Sequence, residues 1–125
     1  MLFRSDLGAE RIGHGLHILG DEAVMALVRK NEVALELCPT SNWLTNSVPS
    51  IADHPIRLLM EAGIPVTINS DDPSLFGIDL CNEYRLLQEL HGFTEAEFAY
   101  CNEVALAHSF IPADEKLRAW LGEKG

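Results

Sequence analysis

A chain of 125 residues with 47% hydrophobic content is long enough for one domain with an enclosed core and too apolar for a disordered chain. Its formal net charge of −10 speaks against nucleic acid or an anionic membrane as a partner, since both need basic patches and no basic run is present. No segment approaches the ~20 apolar residues of a membrane span. Met1-Leu2-Phe3 is followed by charged Arg4 and Asp6 with no apolar stretch behind it, so no signal peptide is expected. The three cysteines, Cys38, Cys81 and Cys101, are odd in number, far apart and never in a Cys-x-x-Cys pair. They read as reduced, partly buried residues of a cytoplasmic protein, not as a disulfide framework or a cysteine-rich zinc site.

Glu10-Arg11-Ile12-Gly13-His14-Gly15 reads as a brief strand ending at His14, with glycines that let backbone or ligand approach closely. Asp21 precedes Glu22 to Lys30, where apolar residues stand at 24, 25, 27 and 28. An N-cap aspartate, an acid in the first turn and cations in the last predict a helix there. Val33 to Cys38 is nearly all apolar and halts at Pro39, which predicts a second buried strand. Thr40 to Ser50 is polar and reads as a loop, in which the large apolar Trp43 and Leu44 are expected to pack against something. His54-Pro55 opens the next helix, through Ile56, Leu58, Leu59 and Met60, and Gly63 ends it. Ile64-Pro65-Val66-Thr67-Ile68 then predicts a third buried strand running to Asp71, with Pro73 turning the chain.

Strand, helix, strand, helix, strand, with continuous apolar strands, implies a parallel sheet with crossover helices and both faces covered. Asp79 to His91 carries Leu80, Tyr84, Leu86, Leu87 and Leu90 and stops at Gly92, a helical pattern. Thr94-Glu95-Ala96-Glu97 is a capping box for a helix reaching about Phe110. Pro112 to Leu121 predicts a last short helix with Leu117, Trp120 and Leu121 on its apolar side. No repeat or linker divides residues 1–125, which read as a single domain.

Polar groups sit at all three strand ends: His14, then Thr40-Ser41-Asn42, then Asp71-Asp72. In parallel α/β folds, sites form at the carboxyl ends of strands. Two adjacent carboxylates at a strand tip point to opposite sides, so one can hold a metal ion and the other a polar substrate atom. The plainer reading makes them turn residues that cap backbone N–H groups. His14 alone reads as a hydrogen-bonded structural histidine; beside Asp71-Asp72 it reads as an acid–base or hydroxide-orienting group. His17, His54, His91 and His108 read as loop, helix-start and helix-end residues. Phosphate-cradling glycine loops and a nucleophile elbow are missing.

Arg11-Ile12-Gly13-His14-Gly15, Cys38-Pro39-Thr40-Ser41-Asn42, His54-Pro55-Ile56 and Asn69-Ser70-Asp71-Asp72-Pro73 resemble, in this order, motifs of the adenosine deaminase family of metal-dependent hydrolases. The resemblance runs from about Gly8 to the end. It implies an α/β fold of the (β/α)8 barrel type, one zinc ion, and conversion of adenosine and water to inosine and ammonia. It also implies that Asp71 is a zinc ligand, that Asp72 contacts a purine ring nitrogen, and that His14 orients and polarises the zinc hydroxide. Zinc brings bound water to a pKa near 7, and its charge lets two neighbouring aspartates stay ionised. Gly13 before His14 matches the adenosine-type pattern, whereas adenine deaminases tend to carry Asp there; aminodeoxyfutalosine deaminases share the motifs closely.

The family's His-x-His pair, its further zinc histidine and its catalytic glutamate are all missing from this sequence. A barrel takes ~250 residues, and the motifs present belong to its last three β/α units. The expectation is therefore a partial barrel, the C-terminal portion of such an enzyme, which alone holds no catalytic zinc and is inactive until the missing N-terminal strands complete it. Three parallel strands leave open edges, so self-association into a homo-oligomer, or pairing with the missing barrel half, is expected. The alternatives are a non-catalytic, self-associating α/β module derived from such an enzyme, and a related amidohydrolase acting on adenine or aminodeoxyfutalosine.

Overall fold

Residues 8–72, 74, 77 and 79–120 are described by a computed structural model, the side chains of Leu117, Ala119 and Trp120 excepted. Three short strands, β1 (Arg11–Gly13), β2 (Ala34–Leu37) and β3 (Val66–Ile68), form one sheet in the order β1-β2-β3. All pair in parallel, with Ile12 beside Leu35 and Leu35 beside Val66. Their carboxyl ends therefore lie on one side of the molecule, as the strand–helix alternation predicted.

The register sorts side chains by face. Ile12, Leu35, Leu37, Val66 and Ile68 share one face and are at most 8% exposed. Helices cover that face. Helix α1 (Glu22–Lys30) buries Val24, Met25 and Val28, and its N-cap Asp21 accepts from Val24 N–H at 3.2 Å. A short 3₁₀ turn at Leu16–Ile18 precedes it and carries the exposed His17. Helix α3 (Ile56–Glu61) adds Ile56 and Leu59, and helix α4 (Leu80–His91) adds Leu87. Burying one such aliphatic side chain contributes about 1.5–3 kcal/mol, so this layer dominates the stability.

The opposite face is mixed, which the continuous-apolar expectation for every strand did not anticipate. Arg11 and Glu36 form an ion pair across it at 3.1 Å, each about a third exposed. The Phe110 ring lies under the Arg11 guanidinium, 4.2 Å from its centroid. Ile12 is the one buried residue of β1. This face thus mixes an ion pair with the buried Ala34 and Thr67, and the helix-covered face is the apolar one.

Helix α5 (Glu95–His108) packs on β3 and begins with the predicted capping box between Thr94 and Glu97. Arg57 of α3 joins three elements: it donates to His91 O at the end of α4 and pairs with Glu97 at 2.8 Å in the first turn of α5. Gly92, at φ 63, makes the left-handed turn between the two helices. Helix α6 (Ala113–Trp120) follows. Its expected apolar contacts through Leu117, Trp120 and Leu121 lie outside the described residues, as does Pro73.

Three expectations are corrected. The segment after β2 is not a loop throughout: Pro39–Leu44 is helix α2, with proline at its first turn, where the missing N–H costs nothing. Trp43 and Leu44 are 44% and 42% exposed and so are not packed as anticipated. The third strand ends at Ile68, not Asp71. Among the cysteines, Cys38 and Cys101 are buried but Cys81 is exposed, and all three are free thiols.

Candidate functional site

Each strand end leads directly into the site. Pairing beyond β1 continues to His14, whose N–H donates to Glu36 O at 2.8 Å, and beyond β3 to Asn69, whose N–H donates to Leu37 O at 2.8 Å. The chain then bends sharply at both places: His14 has φ 62 and Asp71 has φ 66, left-handed conformations for residues with a Cβ. Such a conformation costs roughly 1–2 kcal/mol and persists only where neighbours hold it.

The neighbours are consecutive residues of α2. Ser41 Oγ donates to Asp71 Oδ2 at 2.7 Å, and Asn42 Nδ2 lies 3.1 Å from His14 Nδ1. Both Ser41 and Asn42 are buried, 1% and 2% exposed. Behind them stands His54, 3% exposed, with Nε2 2.9 Å from Asn42 Oδ1 and Nδ1 accepting from Ile56 N–H at 3.2 Å. Burial first, and then nearby His91, pulls the His54 ring down to about 4, so it stands neutral here.

Helix α2 is anchored from a distance. The Glu83 carboxylate, fully buried on α4, accepts from Thr40 N–H at 3.1 Å. It serves a first-turn donor that the helix itself leaves free. Burial raises the Glu83 pKa, while the neighbouring Thr40 hydroxyl and N–H oppose the rise. Glu83 Oε1 has no hydrogen-bond partner among the described residues.

These elements enclose an open cavity of about 410 Å³ lined by His14, Glu36, Cys38, Asn69, Ser70 and Asp71 among others. Gly13 also lines it, and a Cβ built there meets nothing within 4 Å. Cys38 borders this space yet is no nucleophile: burial, then Asp71, Glu83 and Glu36, push its thiol up to about 12. Asp72 follows Asp71 and is exposed, outside the lining residues. Of the three residues singled out from the sequence, the structure thus brings His14 and Asp71 to one cavity, with Asp72 beside it. His17 stays exposed in its turn, His91 donates from Nε2 to Ile51 O at 2.7 Å, and His108 faces Val104 O and Glu32 O. The supporting roles of Ser41, Asn42, His54 and Glu83 went unread in the sequence, although the first three lie within the motifs quoted above.

A family model described as adenosine deaminase matches residues 4–121. The chain is 44% identical over 113 residues to an aminodeoxyfutalosine deaminase of Streptomyces coelicolor, covering 90% of this chain and 29% of that protein. It is 40% identical over 111 residues to an adenosine deaminase of Shewanella loihica, covering 89% and 34% respectively. Among solved structures, an adenine deaminase from Arthrobacter aurescens aligns with a TM-score of 0.82 at 29% identity, over 90% of this chain and 36% of that one. The N6-methyl-AMP deaminase of Arabidopsis thaliana aligns with a TM-score of 0.83 at 26% identity, over 96% and 35%. The chain spans about a third of the length of the relatives it matches. It belongs to the adenosine deaminase family, and its three-stranded parallel sheet with crossover helices is a part of that family's (β/α)8 barrel.

Proposed function

We propose that this chain supplies one side of a purine nucleoside deaminase site, converting adenosine and water to inosine and ammonia once the N-terminal strands of the barrel complete it. In this reading Asp71 is one carboxylate ligand of a zinc ion, Asp72 meets a ring nitrogen of the purine, and His14 orients the attacking water. The observation that carries it is the convergence of His14 and Asp71, from two different strand ends, on one cavity through adjacent residues of α2.

Among the described residues Asp71 is the one ligand this reading assigns to zinc. Zinc centres take three or four protein ligands, and no group of three or more His, Cys, Asp or Glu side chains gathers among the described residues. Asp71 offers one oxygen while Ser41 holds the other. When bound in a completed enzyme, zinc would supply an activated water at neutral pH. What this chain does is hold: it fixes one carboxylate, orients one imidazole and leaves the space beside Gly13 open. Gly13 before His14 matches the adenosine-type pattern, which in this reading favours a nucleoside over a free base.

The test is complementation. The purified chain is assayed for adenosine deamination alone and with a polypeptide supplying the missing strands, against adenine and aminodeoxyfutalosine as competing substrates. Activity only in the mixture, abolished by Asp71→Ala, supports the reading; activity that survives Asp71→Ala overturns the site assignment.

Self-association is the second proposal. Strands β1 and β3 are each paired on one side only within this sheet, and unpaired strand edges recruit other chains. Sedimentation is expected to give a dimer or larger species, and a compact monomer at high concentration would remove the proposal.

A further inference from the structure

We infer that Asn42 and His54 are positioning residues that fix His14 as the tautomer protonated at Nε2, so that His14 presents a hydrogen-bond donor to the cavity. The tautomer follows from a single chain of contacts; its consequence for chemistry rests on the reading of His14 as a site residue.

The chain of contacts starts at a group with no freedom. Ile56 N–H can only donate, and it points at His54 Nδ1 across 3.2 Å. That nitrogen must therefore be bare, and a neutral imidazole then carries its proton on Nε2. His54 Nε2 lies 2.9 Å from the Asn42 side-chain amide. Since it donates, the amide must turn its oxygen toward it. A flipped amide would set two donors against each other in a place that is 2–3% exposed, where no water replaces the lost bond. With Oδ1 committed to His54, Asn42 Nδ2 faces His14 Nδ1 at 3.1 Å. An NH₂ group can only donate, so His14 Nδ1 accepts and the proton sits on Nε2. Orientations of amides and imidazoles are normally matters of assignment; here one backbone N–H determines all three.

The consequence is directional. Among the described residues His14 Nε2 has no partner, and His14 lines the cavity. The ring thus offers an N–H to an oxygen there. To take a proton at Nε2 it would first have to shift its own proton to Nδ1, where it would meet the Asn42 amide. His14 is accordingly an orienting donor in the neutral state and not a general base. The anchoring of α2 by Glu83 places Asn42 for this work, since Thr40 and Asn42 share the short helix.

The experiment reads the tautomers directly in the chain as it stands. Long-range ¹H–¹⁵N correlation on ¹⁵N-histidine-labelled protein, with His14 assigned through His14→Gln, is expected to show pyrrole-type Nε2 and pyridine-type Nδ1 at both His14 and His54. Asn42→Asp replaces the donor facing His14 by an acceptor and keeps the acceptor facing His54. His14 is then expected to switch to the Nδ1–H tautomer while His54 keeps Nε2–H. A His14 that is Nδ1–H in the wild type, or one unmoved by Asn42→Asp in a folded variant, overturns the assignment. Should Asn42→Asp not fold, the wild-type tautomers decide alone. In the complemented enzyme, the flipped tautomer is expected to lower kcat at least tenfold with KM little changed. An unchanged kcat beside a flipped tautomer removes the donor role, and loss of the deaminase reading altogether would leave the tautomer result standing.

Discussion

Ser41 Oγ reaches Asp71 Oδ2 across 2.7 Å, joining residues thirty positions apart in the chain. The contact does two things at once. It holds a carboxylate at a defined angle over the cavity, and it helps keep Asp71 in its left-handed backbone conformation. Ser41→Ala is therefore expected to lower stability by about 1 kcal/mol, less than a fully buried charged hydrogen bond because Asp71 is exposed. Urea denaturation measures this. In the complemented enzyme the same change is expected to weaken zinc binding about 10- to 100-fold, as loss of a group that orients a ligand does.

The conformation of Asp71 separates its backbone role from its chemical one. At φ 66, Asn is tolerated nearly as well as Asp, whereas a β-branched residue is strained. Asp71→Asn should leave the unfolding midpoint almost unchanged and Asp71→Val should lower stability by roughly 1–2 kcal/mol. Both should abolish deamination in the complemented enzyme. Equal stability of the Asn and Val variants would show that the left-handed turn is not held under strain.

Gly13 gives a test of substrate choice. A Cβ at this position meets nothing within 4 Å and would project where the cavity is open. Gly13→Asp should therefore fold normally, with an unchanged circular dichroism spectrum and melting temperature. In the complemented enzyme it should shift the ratio of kcat/KM from adenosine toward adenine, the smaller base without a ribose. A variant that keeps the adenosine preference would remove Gly13 from substrate selection.

Much of this fold was legible because its signals are local. Asp21, the Thr94–Glu97 box and Gly92 mark helix ends within three or four residues of the groups they serve, and all three act as read. Val66-Thr67-Ile68 declared a buried strand by its branched side chains alone. Helix α2 was illegible for the opposite reason. Thr40-Ser41-Asn42 and Asn46-Ser47 are turn formers, Pro39 reads equally as a stop or a start, and the acceptor for Thr40 N–H comes from Glu83, 43 residues away. The same holds at the site. His14 and Asp71 were visible as chemistry at strand ends, but the residues that aim them are reached through tertiary contacts from a helix mistaken for a loop. The left-handed turns at both positions leave only a weak mark in residue type: His and Asp are enriched in that region, but neither is the glycine that would announce it.

Two carboxylates make opposite predictions about pH, and the contrast is the sharpest check on the electrostatics. Glu97 is held below its ordinary range, chiefly by the hydrogen bond from Arg57. Its contribution is present above the unfolded value of about 4.5 and is lost as pH falls through the lower folded value. Arg57→Met should destabilise the protein at neutral pH by about 1–2 kcal/mol, losing the ion pair and the bonds to His91 O together. The deficit should shrink as the medium becomes acidic enough to protonate Glu97 in the wild type. Glu83 runs the other way. Burial raises its pKa, so its folded-state advantage is complete below about 4.5 and disappears as pH rises through the folded value. Glu83→Gln keeps an acceptor for Thr40 N–H and carries no charge. It should therefore be more stable than the wild type at neutral and higher pH, with the gap narrowing in acid. Melting temperatures of both variants across pH 3–8, each referred to wild type, should give difference curves of opposite sign at neutral pH. A Glu83→Gln variant less stable than wild type at neutral pH would mean that the charge on Glu83 is what anchors α2, and that the helix carrying Ser41 and Asn42 depends on an ion rather than on a hydrogen bond.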